Sequence, residues 1–177
     1  MKFIIFIGIF LSTILIACSI WSSSGYLRRD FEIRDEKGDV SAVILLGAYV
    51  KDGKVTAWTD CSTGEIFRTS ERDLEYGYLY NSHIAKYTGT EENGLKEVTI
   101  AVSAGKNELA PTMYETIAEI ENSYYEHCSS CHAAPIIKHY PKIQWHGIMD
   151  SMIHHASMED KESEDIKRYI FISLQKQ

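Results

Sequence analysis

Positive charge is in short supply in this chain of 177 residues: 18 Lys and Arg stand against 25 Asp and Glu, a formal net charge of −7. A nucleic-acid partner would favour a basic face, so the balance argues against one. Cysteine is scarce too, at 4 residues. With Cys18 assigned to a lipid anchor, Cys61, Cys128 and Cys131 remain, an odd number that makes a disulfide framework a poor expectation. There is no second Cys-x-x-Cys, no internal repeat and no low-complexity tract. No paired carboxylates and no nucleophile–base arrangement stand out, so the residues give no reason to expect an enzyme. The material for packed cores is present: 45% of residues are hydrophobic, with 11 Tyr and 3 Trp.

One long apolar run occurs, at the start. Lys2 is followed by Phe3 to Ala17, broken only by Gly8, Ser12 and Thr13, the layout of a secretory signal. Its end, Leu15-Ile16-Ala17-Cys18, resembles a bacterial lipobox, which makes Cys18 a lipidation candidate. The competing reading is an uncleaved anchor reaching about Trp21, at the short end of the roughly 17–25 residues that span a bilayer. Either way the globular part is expected on the periplasmic side of the inner membrane, held there by its N-terminus.

The remainder divides into two styles of sequence, and the expected fold class is α+β. Residues 19–30 are serine-rich at first and read as a tether. Residues 31–108 read as a small β-rich domain, a sheet or barrel. "SAVILLGAYVKDGKVTAW" places two apolar runs around Asp52-Gly53, a hairpin signal. "LEYGYLYNSHIAKY" alternates Leu74, Tyr76, Tyr78 and Tyr80, predicting one strand face. "GLKEVTIAVSAG" repeats the pattern with Val98, Ile100 and Val102. From Pro111 the period becomes helical. Met113, Ile117, Ile120 and Tyr124 share a face, "PKIQWHGIMDSMIHH" follows, and a last helix carries Ile166, Tyr169, Ile170 and Leu174 on one side. Residues 111–177 are therefore expected to form an all-α domain.

Six of the seven histidines lie in that helical part, and so does "YYEHCSSCHAAP". In an exported chain Cys128-Ser129-Ser130-Cys131-His132 reads as attachment of one covalent haem c, with Cys128 and Cys131 forming thioethers and His132 the proximal iron ligand. A thiol–disulfide couple needs only the two cysteines, and it opens a helix after a strand. Here the pair follows a helix. A structural zinc would want a second ligand pair. For a sixth iron ligand Met152 is the first candidate. It stands seven residues after Trp145, nearly on the same helical face, so an indole packed against the haem and a thioether on the iron would share one wall. Met149, Met158, His154 and His155 stay open as alternatives, because methionine and histidine both occur in that position. Cys61 is given no role. His127, next to the pair, is expected to be a surface residue.

"CSSCHAAP", the following "HY", "QWHG" and "DSM" resemble the C-terminal monohaem domain of the pentahaem cytochromes c of trimethylamine N-oxide respiration. That domain carries C-x-x-C-H-x-x-P, then Gln-Trp-x-Gly and a methionine five residues after the glycine. Gly147 and Met152 keep that spacing here. The likeness covers about residues 113–175 and, more faintly, the β-rich half. The family's four-haem quinol-oxidising part has no counterpart in these residues. The resemblance implies a class I-like cytochrome c domain in an electron carrier of anaerobic respiration. Its acceptor would be a periplasmic molybdenum N-oxide or S-oxide reductase, and its donor a quinol-linked membrane cytochrome. It also implies an alternative, a haem-based sensing or reductase-recruiting module.

Overall fold

A computed structural model describes residues 24–175, so the leader, Cys18 and the first part of the tether, residues 19–23, lie outside the described residues. No described helix is long and apolar enough to cross a membrane. The described residues run through ten strands and then three α-helices. The strands are β1 (Gly25–Leu27), β2 (Phe31–Arg34), β3 (Val40–Ile44), β4 (Tyr49–Val50), β5 (Lys54–Thr59), β6 (Glu65–Phe67), β7 (Glu75–Leu79), β8 (Ala85–Glu92), β9 (Leu95–Ala101) and β10 (Leu109–Ala110). The helices are α1 (Met113–Cys128), α2 (Lys142–Ala156) and α3 (Asp160–Ser173). The architecture is thus mixed α+β, a curled sheet followed by a three-helix region.

Seven strands form an open antiparallel sheet in the order β2-β3-β7-β6-β5-β9-β8, and a small second sheet pairs β10-β1-β4. The Asp-Gly turn forms as its chemistry requires. Asp52 and Gly53 both take positive φ, 53° and 69°, and Lys51 bridges to Lys54. Val98, Ile100 and Val102 are all buried. The stretch expected to be a tether differs: Gly25–Leu27 is a strand, with Leu27 fully buried and Tyr26 opposite both Tyr49 and Ala110. Its pairing partners are remote in sequence, so nothing local announced it.

The single-face reading of 74–80 fails at Gly77. Leu74 and Tyr76 are buried, but the next buried side chain is Leu79, while Tyr80 is 65% exposed. Register shifts between Ile66 and Phe67 where β6 pairs with β7, and the bulge turns the second half of the strand over. Gly77 makes the switch possible, with φ at 146° and an α-carbon so near β3 that an added Cβ would lie 1.9 Å from the Val43 carbonyl oxygen. Gly77→Ala should therefore cost about 3 kcal/mol or more in a urea titration. An unchanged midpoint would mean that the strands separate at little cost.

The β half and the helices share one apolar core. Leu27, Ile44, Leu46 and Val50 belong to the same buried cluster as Ile117, Tyr124, Trp145, Ile166 and Ile170. α1 starts at Thr112, whose hydroxyl accepts from the Glu115 backbone N–H at 3.2 Å, an N-cap. α2 ends at Ser157 in the left-handed region, φ 51°. That turn brings α3 back against both other helices.

Candidate functional site

The Cys-x-x-Cys-His run straddles the end of α1. Cys128 is the last helical residue, and Ser129 to His132 leave the helix in a turn. The two serines between the cysteines close the helix. Ser129 Oγ donates to the Tyr125 carbonyl, which also accepts the Ser129 N–H, and Ser130 Oγ donates to the His127 carbonyl at 2.9 Å, near the helix C-terminus where carbonyls run short of donors. Cys128 is half-buried and Cys131 exposed, and both are free thiols.

The strap that follows is pinned by two ring donors. The fully buried Tyr124 donates its hydroxyl to the Pro135 carbonyl, and Trp145, 1% exposed, donates Nε1–H to the Ile137 carbonyl at 2.9 Å. Tyr140 packs edge-on against Trp145, with centroids 5.7 Å apart and planes at 83°. These contacts fix the chain that follows His132. The exposed His132 ring donates Nδ1–H to the Ala133 carbonyl at 2.9 Å, which leaves Nε2 as its open nitrogen. That is the tautomer a metal-ligating imidazole uses, with the second nitrogen held by a backbone acceptor.

Cys128, Cys131 and His132 face a cavity of about 340 Å³ whose other wall is α2 and the turn beyond it: Trp145, Ile148, Met149, Met152, His155 and Met158. The structure thus brings most of the sequence-selected residues to one place. Met149 is 1% exposed and packed in the core, while Met152 and Met158 are half-buried, so all three thioethers border the cavity. His155 borders it as well, but His154 is not among its lining residues. Cys61 is exposed on the β half, away from this cavity.

His127 corrects the expectation of a surface residue. Its Nδ1 lies 3.2 Å from the Ala156 carbonyl and its Nε2 2.8 Å from Glu162 Oε1, so the ring ties the end of α1 to the end of α2 and the start of α3. It also lines the cavity. The signal was in the spacing: His127 follows Ile120 by seven residues and Tyr124 by three, on the buried stripe of α1.

The surroundings weigh against a disulfide oxidoreductase. A reactive thiolate is stabilised by a helix N-terminus or a nearby cation. Cys128 instead ends a helix, where the dipole disfavours negative charge, and burial pushes its thiol up. Nor do three His, Cys, Asp or Glu side chains converge in a metal-holding group among the described residues. The donor set fits a porphyrin better: two thiols on the cavity lining, an imidazole with Nε2 open, and an indole and thioethers from α2 and the turn beyond it.

Comparison of the chain with protein-family models, with curated proteins and with solved structures finds no match.

Proposed function

We propose that the protein is an exported, membrane-tethered monohaem cytochrome c that passes single electrons. The observation that carries the reading is the convergence of Cys128, Cys131 and His132 with Trp145 and three methionines on one largely apolar cavity. Cys128 and Cys131 would hold the haem covalently, and His132 would ligate its iron. Met152 is the favoured second ligand, with Met149, Met158 and His155 as alternatives. Bound there, the haem supplies a one-electron couple. The residues around it set the potential through axial ligation and exclusion of water. The resemblance to pentahaem cytochromes supports an N-oxide or S-oxide reductase as acceptor, a quinol-linked cytochrome as donor, and the class I-like cytochrome description of residues 111–177.

A reduced-minus-oxidised spectrum of the exported, full-length protein tests the reading. A c-type α band that survives acid–organic extraction is expected, and its absence would sink the proposal. The same spectra on Met152→Ala should show a lower potential and lose the methionine-specific features. If they are unchanged, the second ligand is another of the four candidates.

A further inference from the structure

The rings behind the haem cavity do more than fill the core. Trp145 forms part of the cavity wall. Tyr124 meets it edge-on at 6.4 Å between centroids, and Tyr169 meets Tyr124 at 5.5 Å. The three rings are in series, and all are buried: 1%, 0% and 4% exposed. At the far end the Tyr169 hydroxyl donates to Glu121 Oε1 at 3.0 Å. Tyr169 and Glu121 also line a second cavity, of about 630 Å³, which does not share a lining residue with the first.

The two phenols differ in what they can give up. Oxidising a phenol makes it a strong acid, so the electron leaves easily only where the proton has somewhere to go. Tyr124 donates to a backbone carbonyl, which cannot take a proton. Tyr169 donates to a carboxylate, which can. Burial and the Glu121 carboxylate both push the Tyr169 phenol upward, so it keeps its proton until the electron leaves.

From this series we infer that Trp145, Tyr124 and Tyr169 form a hole-transfer chain that carries oxidising equivalents away from the haem cavity and stops them at the Tyr169–Glu121 pair. The inference rests on the haem reading. The oxidant is a hydroperoxide entering that cavity. Its two-electron reduction to an alcohol or water and one further water takes up two protons from solvent; the haem, when bound there, would supply one electron, and Tyr169 supplies the other by way of Tyr124 and Trp145. The Tyr169 phenolic proton passes to Glu121 Oε1, leaving a neutral tyrosyl radical, while Trp145 and Tyr124 end unchanged. Such a route spares the porphyrin and the thioether ligands, methionine being readily oxidised to its sulfoxide.

The test uses full-length haem-loaded protein, its c-type band recorded first, mixed with hydrogen peroxide and frozen rapidly for electron paramagnetic resonance. Wild type should give a tyrosyl radical. Tyr169→Phe, which keeps the ring and loses only the hydroxyl, should lose most of that signal. Glu121→Gln leaves every ring in place and should lower the yield several-fold, because the amide cannot take the proton. A radical of wild-type yield in both variants, or no tyrosyl radical in wild type, overturns the chain and leaves the cytochrome reading standing. No c-type band overturns both.

Discussion

Serine at both Cys128 and Cys131 should leave the exported protein without covalent haem: no haem stain on a denaturing gel, and no haem increment in the intact mass. A thioether needs a sulfur nucleophile, and the serine hydroxyl is far too weak to add to a vinyl group. Each single variant can keep one thioether and should retain part of the stain. The double variant separates attachment from folding, since both changes are nearly isosteric. Cys131 is exposed, and Cys128 is half-buried at the end of α1. The Ser129 cap and the pins from Tyr124 and Trp145 involve neither sulfur, and Ser130 Oγ, which also lies 3.7 Å from Cys131 Sγ, keeps its His127 carbonyl acceptor when serine replaces the cysteine. Circular dichroism should therefore remain that of a folded α+β protein. Retention of covalent haem in the double variant would place attachment elsewhere and overturn the reading of the motif.

The Cys-x-x-Cys-His run was legible because its residues are contiguous in sequence, whereas the choice among candidates for the proposed second iron ligand was not. Met149 and Met152 lie three residues apart on α2, with Met158 just past its end, and all three reach the same cavity. Helical spacing cannot separate them. What separates Met149 is burial, at 1% exposure beside Trp145, a property of how α2 packs against its neighbours. His127 was readable in principle, since it continues the buried stripe of α1, but its partners Ala156 and Glu162 come from elements more than twenty residues away. The β half shows the same division. The turn at Asp52-Gly53 is dictated by two residues and formed as expected. β1 exists only because Tyr49–Val50 and Leu109–Ala110 come to flank it. The reversal of faces at Gly77 depends on the close approach of Val43, which the alternation of Leu74, Tyr76, Tyr78 and Tyr80 gave no sign of.

Arg168→Met should destabilise the fold by about 3 kcal/mol, read as a lower urea midpoint. Arg168 lies on α3 among Ile166, Tyr169, Ile170 and Ile172, and only 8% of it is exposed. Its Nε donates to the Leu46 carbonyl at 3.0 Å and its Nη1 to the Glu75 carbonyl, so one guanidinium joins the helical region to the turn after β3 and to β7. Burial pulls the guanidinium down to about 10, against the opposing charges of Glu75 and Asp30, so it stays charged at neutral pH. Desolvating that charge is costly, and Arg168 Nη2 and Glu75 Oε1 remain buried without hydrogen-bond partners. The arrangement persists because the two backbone carbonyls cannot be removed with the arginine. Methionine matches its length and apolar stem but strands both acceptors. Lysine should recover less than half of the loss, since one ammonium cannot reproduce a planar fork aimed at two separate carbonyls. The residues lining the cavity beside Cys128 belong to α1, α2 and the turns around them, and α3 packs against both helices. Loosening α3 should thus lower the retention of haem in step with the midpoint. A variant with a wild-type midpoint would show that apolar contacts alone hold the two regions together.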